Sequence, residues 1–327
     1  MYESFYNLKR NPFELTPDPS FLFPTFRHNE ALATLYHGVR GHKGFVVLTG
    51  EVGTGKTLLL RYLLQILRQS SDIAYAYIFN GQLSPLEFLQ FIASDFGLPA
   101  SGKNKSEILF DLSNYVIARG TRKLTTVLVV DEAHHLSVAI LEEIRLLTNL
   151  ESTQDKLLQV LLVGQPELDE KLDSPELRQL KQRIAHRCQL GPLDLNETNG
   201  YIERRLHLAG LSPSSHPLFL PDAVASIYRY SRGIPRLINT ICDNALITAY
   251  SKQLRTVTAD IVDGSAADLR LNVSGVPSSN PKPSGQPDEV DVRRAARSLL
   301  DLYAYLNRLP LYERETGAPA PSYSEQV

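Results

Sequence analysis

From Phe45 to Leu190 the chain alternates short aliphatic runs with longer amphipathic stretches. Brief aliphatic runs bounded by polar turns suit strands buried on both faces, and apolar residues recurring every three or four positions suit the helices that cover such a sheet. The pattern predicts strands over 45–49, 73–79, 125–130 and 157–163, with a short fifth one near 186–190. Between them it predicts helices over 56–69, 85–96, 106–119, 138–150 and 175–185, several opened by a Ser or Asp cap with Pro just inside. The expected architecture is one doubly wound α/β domain around a five-stranded parallel sheet.

After Pro192 the aliphatic runs stop and the spacing becomes wholly helical, over 197–209, 221–231, 235–251 and 259–269. Residues 272–288 are Pro, Ser, Gly and Asn with hardly a large hydrophobe, which predicts a disordered linker. Beyond it, Val292, Ala296, Leu299, Tyr303 and Leu306 recur at alternating spacings of four and three, the mark of an amphipathic helix over 289–310. Such a helix suits packing on its own protein as well as docking to a partner. The expected division is an arm over 1–44, the α/β domain over 45–192, an all-helical domain over 193–271, the linker, the helix, and a disordered tail over 311–327.

Composition acts here mainly by exclusion. With 34 Lys plus Arg against 36 Asp plus Glu, the formal charge is -2, so the chain as a whole lacks the signature of a nucleic-acid binder, although a local basic face stays open. Cys188 and Cys242 lie far apart and form no Cys-x-x-Cys pair, which argues against a zinc site or a disulfide framework and fits a reducing interior. Met1 to Arg10 mixes aromatic and polar residues and does not read as a secretory signal. No apolar run approaches the roughly 18 residues of a membrane helix, so no span is expected.

Two motifs carry chemistry. Gly50-Glu51-Val52-Gly53-Thr54-Gly55-Lys56-Thr57 fits the pattern Gly, four residues, Gly, Lys, Ser or Thr, and it lies between a predicted strand and a predicted helix. In that setting glycines let the backbone aim its N–H groups at phosphate oxygens, and the helix N-terminus adds a favourable dipole. Lys56 is expected on the β and γ phosphates and the Thr57 hydroxyl on Mg²⁺, with Leu58 completing the nucleotide-binding segment. Further on, Val127-Leu128-Val129-Val130 runs into Asp131-Glu132, a buried strand delivering two carboxylates to its C-terminal edge. Asp131 is expected to hold Mg²⁺, mainly through water, and Glu132 to polarise the attacking water. A glycine turn, or a strand ending in a solvated acidic turn, would explain either motif alone. Together in one α/β domain they point to Mg-ATP and its hydrolysis.

The phosphate loop, the Asp-Glu strand and a helical lid carrying Gly233-Ile234-Pro235-Arg236 resemble an AAA+ ATPase. The chain is further similar to the general secretion pathway protein A (ExeA-like) group. That likeness rests on Asn11-Pro12-Phe13, Leu15-Thr16-Pro17-Asp18-Pro19, Gly164-Gln165-Pro166-Glu167-Leu168, Gln182-Arg183-Ile184 and Pro235-Arg236-Leu237-Ile238-Asn239. It covers about residues 1 to 270. The resemblance implies that Gln165 senses the γ-phosphate and orients water. It makes Arg183 an arginine finger reaching a neighbouring subunit's ATP, with Arg178 and Arg187 as competitors. It makes Arg236 the lid arginine on the γ-phosphate, and it places His28 in the segment flanking adenine. For His134-His135, which invites a metal reading, capping or an interface is the favoured role, because adjacent residues diverge on a helix.

The resemblance implies an oligomer, a ring or helical filament, because the finger crosses an interface. It also implies a cytoplasmic ATPase switch, peripheral at the inner membrane, with a secretion or envelope component as partner. The alternative is an ATP-dependent adaptor on duplex DNA, like the related transposon target-selection ATPases, with Lys103, Lys105, residues 119–123 and the arginines near Arg293 lining a groove. A signalling ATPase without mechanical work is a third option.

Overall fold

A computed structural model describes residues 2–79, 83–150, 156–212 and 216–271. The linker, amphipathic helix and tail expected over 272–327 lie outside the described residues.

The described chain opens with a helical turn, α1 (Tyr2–Phe5), an extended segment and a longer helix, α2 (Phe26–Arg40), capped by the Thr25 hydroxyl. The α/β pattern follows as β1 (Phe45–Gly50), α3 (Lys56–Arg68), β2 (Ile73–Ile78), α4 (Pro85–Asp95), α5 (Lys105–Thr121), β3 (Thr125–Val130) and α6 (Val138–Leu147). It closes with β4 (Leu158–Gly164), α7 (Glu167–Leu172), α8 (Arg178–Lys181) and β5 (Ile184–Leu190). Four helices complete the described chain, namely α9 (Leu195–Leu208), α10 (Pro221–Ser231), α11 (Pro235–Ser251) and α12 (Ala259–Asp268). Capping boxes start three of the helices: Ser84 with Glu87 on α4, Asn104 with Glu107 on α5, and Asp194 with Glu197 on α9. Each satisfies two backbone donors that would otherwise be orphaned at a helix start.

The five strands form one all-parallel sheet in the order β2-β3-β4-β1-β5, as the alternation of aliphatic and amphipathic segments predicts. The three inner strands are buried at every position, whereas β2 and β5 at the edges are only half-buried. That difference explains one correction. The helix predicted over 175–185 ends at Lys181, after a 3₁₀ turn at Pro175–Leu177, and Ile184 already belongs to β5. Along this edge strand Ile184, His186 and Cys188 turn inward while Ala185, Arg187 and Gln189 are exposed, a period of two that only an extended chain produces. Helices α2 and α7 are additions to the predicted set.

Two hydrophobic cores result. One lies among β1 to β4 and helices α4 to α8, with Phe45, Phe88, Leu89, Ile92, Ile108, Leu128 and Leu162 at its centre. The other is built from α9 to α12 and, from the opposite end of the chain, Tyr2, Tyr6, Leu8 and Phe13. Polar contacts fix the same pairing: Tyr2 Oη donates to Asp243 (2.5 Å) and Tyr6 Oη to the Leu254 carbonyl (3.0 Å). Buried Arg205 of α9 donates to the carbonyls of Pro12 (2.5 Å) and Glu14 (3.2 Å). The opening segment is therefore held by the helical bundle, and its next residues are set over the sheet's C-terminal edge. No helix among the described residues is long and apolar enough to cross a membrane.

Candidate nucleotide-binding site

β1, β3 and β4 end side by side, which brings the loop after Gly50, the pair Asp131-Glu132 and Gln165 to one edge of the sheet. Open α/β sheets bind ligands at this edge. A cavity of about 350 Å³ lies there. It is lined by Val52, Gly53, Gly55, Lys56, Thr57 and Leu58 of the loop, by Glu132 and Gln165 from the sheet, and by Arg236 from the helical bundle. Of the remaining loop candidates, Gly50, Glu51 and Thr54 shape the turn without lining the cavity.

Lys56 is buried, and its ammonium donates to the carbonyls of Gly50 (2.7 Å) and Glu51 (2.9 Å), arching back over its own loop. Burial lowers its pKa, and the nearby carboxylates of Glu132 and Asp131 oppose that shift. At Gly53 the backbone sits at φ +83°, and a Cβ there would stand 2.8 Å from the Arg236 Cβ. Only glycine allows this approach, which the Arg236 N–H completes by donating to the Gly53 carbonyl (3.3 Å). Arg236 thus sets the first turn of α11 directly against the phosphate loop.

Asp131 is buried under the cavity rather than lining it. The Thr57 hydroxyl (3.1 Å) and the Tyr77 hydroxyl (3.2 Å) both donate to its Oδ2, and the Glu132 N–H donates to its Oδ1 (2.9 Å). Burial nonetheless raises the Asp131 pKa. Adjacent oxygen ligands of an octahedral Mg²⁺, each about 2.1 Å from the metal, stand roughly 3.0 Å apart. The Thr57 hydroxyl and the Asp131 carboxylate, 3.1 Å apart, are hard oxygen donors of the kind Mg²⁺ takes directly or through water, so the donor set fits the ion.

Glu132 adopts the left-handed conformation, φ 52° and ψ 36°, costly for a non-glycine residue and common where a side chain must be aimed. Its Oε2 is buried without a hydrogen-bond partner. A carboxylate on a cavity-lining residue that no hydrogen-bond donor neutralises is suited to accept a proton from a bound water.

The other sequence candidates fall apart in space. His28 is buried in α2 behind the phosphate loop, bonded through Nδ1 to the Thr25 hydroxyl (2.7 Å) and to the Thr54 backbone, and it does not line the cavity. Arg183 points to the end of α6, where it donates to the Arg145 carbonyl (3.3 Å) and the Thr148 hydroxyl (3.2 Å). Arg187 pairs with Asp169 and Asp173, and Arg178 is exposed.

Several lining residues were not legible as site residues. Leu15, Thr16, Pro17, Asp18 and Phe21 of the opening segment form one wall, with Tyr201, Arg205 and Asn239 of the bundle behind them. Arg205 donates to Tyr201 Oη (2.7 Å), which donates to Asn239 Oδ1 (2.9 Å). The Leu-Thr-Pro-Asp-Pro motif was the only signal for this wall. Nothing in the spacing of α9 separates Arg205 from its exposed neighbour Arg204.

Residues 39–172 match the family model of an AAA domain. Over 277 residues the chain is 44% identical to general secretion pathway protein A of Aeromonas hydrophila. The match covers 84% of this chain and 49% of that protein, so the chain spans about half the length of its curated relative. Among solved structures, the Aeropyrum pernix ORC2 protein in ADPNP and ADP complexes is similar at a TM-score of 0.58 with 18% identity, covering 80% of this chain and 72% of that one. Cdc6p of Pyrobaculum aerophilum is similar at 0.57 with 19% identity, covering 89% of each chain. The structural likenesses establish the fold.

Proposed function

The chain belongs to the AAA+ ATPases of the general secretion pathway protein A group, and on that premise we propose that it binds Mg-ATP in the sheet-edge cavity and hydrolyses it to ADP and phosphate. The observation that carries this reading is that Glu132, a carboxylate with one oxygen engaged by no hydrogen-bond donor, lines the same cavity as the phosphate-loop residues Gly53, Gly55, Lys56 and Thr57. Thr57 and Asp131 hold the Mg²⁺, which when bound neutralises charge on the phosphate oxygens. Lys56 leaves the carbonyls of Gly50 and Glu51 for the phosphates, and Glu132 accepts the proton of the attacking water. Arg236 and Gln165, which both line the cavity, are assigned to the terminal phosphate.

In this reading nucleotide also controls assembly. The opening segment and the helical bundle share one core and both line the cavity, so a nucleotide bridging loop and bundle would fix the angle between them. Arg183 is proposed to reach a neighbouring subunit's site, giving a ring or filament that acts as a cytoplasmic switch at the inner membrane for a secretion or envelope component.

The alternative occupant of such an assembly is duplex DNA. Part of the expected basic groove is engaged within the chain: Lys103 pairs with Asp111, Lys105 with Glu143, and Arg119 donates to Thr126 and to backbone carbonyls. Light scattering in ADP and in a non-hydrolysable ATP analogue, with and without duplex DNA, separates the readings. Assembly driven by the analogue alone is expected. Assembly that requires DNA and weakens steeply with salt would favour the adaptor.

A further inference from the structure

His134 lies in the 3₁₀ turn Ala133–His135 directly after Glu132, and its side chain is only 8% exposed. Lys171 pins this turn by donating to the carbonyls of His134 and Leu136. His135 packs against the ring at a tilt of 41°, with centroids 3.9 Å apart. The imidazole is thereby held between two residues that line the cavity. Its Nδ1 receives the Gln165 backbone N–H (3.4 Å), and its Nε2 lies 2.9 Å from the side-chain Nε2 position of Gln165. Glu132 Oε2 is also 3.4 Å from Nδ1 but forms no hydrogen bond.

Donor and acceptor roles follow from chemistry. A backbone N–H can only donate, so Nδ1 carries a lone pair, and the proton of the neutral ring is on Nε2. An Nε2–H needs an acceptor. Nitrogen and oxygen of a carboxamide are distinguished by their partners, so an Nε2–H at this position calls for exchanging the two ends of the Gln165 amide, which turns its oxygen to His134. The NH₂ end is left to face the cavity. The bare Nδ1 cannot donate to Glu132, which leaves that carboxylate oxygen unengaged.

We propose that His134 is a positioning residue that fixes which end of the Gln165 amide meets the terminal phosphate, making it a donor, and that keeps Glu132 free for water. The inference rests on the nucleotide reading of the cavity. Burial, reinforced by the neighbouring His135, keeps the imidazole below its ordinary pKa and so in the neutral form the network needs. Without His134 the amide could turn its oxygen toward a phosphate, replacing an attraction with a repulsion. Glu132, His134 and His135 can also bring one ligand atom each within 4.8 Å of one another. Because both nitrogens of His134 are committed to Gln165, hydrogen bonding accounts for the cluster better than a cation does.

Two measurements on the full chain test this. In the assigned ¹⁵N spectrum of the wild type, His134 should be the Nε2–H tautomer. In a double-mutant cycle, His134→Ala and Gln165→Ala should each lower kcat by roughly tenfold to a hundredfold, the scale of a mispositioned catalytic group, with KM for ATP little changed. The double variant should be no slower than the slower single one, because both changes remove one interaction. A residue that merely supports the fold would not give this coupling. An Nδ1–H tautomer, unchanged kcat in His134→Ala, or additive losses would overturn the proposal while leaving an active wild type. A wild type without ATP turnover would overturn the nucleotide reading and this inference with it.

Discussion

The Thr57 hydroxyl donates to Asp131 Oδ2 at 3.1 Å, joining the phosphate loop at the start of α3 to the end of β3. If the two oxygens share a Mg²⁺, Asp131→Asn should weaken the apparent Mg²⁺ affinity at fixed ATP by on the order of tenfold or more, because it removes the charge that binds a hard cation. Nucleotide binding in the absence of Mg²⁺ should change little. Stability should move the other way. Burial holds the Asp131 pKa above its unfolded value, so this carboxyl favours folding only while it is protonated, and that contribution is lost as pH rises. Asp131→Asn should therefore unfold at the same temperature as the wild type or a higher one at neutral pH. The difference should vanish near pH ~4, around the ordinary pKa of an Asp in an unfolded chain. A variant less stable at neutral pH would mean that the carboxylate is structural.

Gly233 ties the helical bundle to the chain leaving the sheet. Its φ is +73°, a Cβ there would lie 1.9 Å from the Leu193 carbonyl oxygen, and its own carbonyl accepts the Leu193 N–H at 2.9 Å. Gly233→Ala adds a strained backbone, about 1–3 kcal/mol, to a clash with backbone that cannot step aside. A loss of roughly 3 kcal/mol or more should appear as a Tm lowered by about 6–12 °C in thermal unfolding. A Tm within a degree or two of the wild type would show that the connection is free to rearrange.

How far these features were legible depends on burial. The inner strands β1, β3 and β4 are buried at every position, so their sequences are unbroken aliphatic runs and could be placed almost to the residue. β5 is an edge strand with polar residues on its open face, and its first two residues read as the end of a helix. α2 escaped prediction although Ala31, Leu35 and Val39 recur at helical spacing, because its buried face also takes His28, Ala33 and Gly38, which blur the apolar stripe. The phosphate loop and Asp131-Glu132 were readable because their chemistry fixes residue type and spacing at once. Arg205 was not, since its role comes from carbonyls of Pro12 and Glu14 almost two hundred residues away in the chain. His134 is intermediate. The sequence shows a histidine pair, and only the packing of β4 against the turn after β3 shows that one ring meets Gln165.

Arg183 distinguishes an assembled ATPase from a self-contained one. Within its own chain it donates to the Arg145 carbonyl and the Thr148 hydroxyl, which satisfies the C-terminal end of α6. If it also reaches a neighbour's nucleotide, Arg183→Ala should bind ATP nearly normally and hydrolyse it about a thousandfold more slowly or worse. Mixing it with Lys56→Ala should restore part of the activity, since one complete site then forms from an intact Lys56 and an intact Arg183. Arg178→Ala and Arg187→Ala serve as controls in the same assay. Absence of rescue in mixtures that co-assemble by light scattering would confine Arg183 to its role on α6.

The most direct measurement compares wild type and Glu132→Gln for ATP binding and for phosphate release under the same conditions. The substitution keeps the shape of the side chain and removes its basicity, and the Lys56 ammonium donates to the carbonyls of Gly50 and Glu51 rather than to Glu132. The variant should bind Mg-ATP as the wild type does and release phosphate on the order of a hundredfold more slowly or worse, the scale of a lost general base. Turnover equal to that of the wild type, or a loss of ATP binding alongside turnover, would contradict the assignment of Glu132 as the catalytic carboxylate.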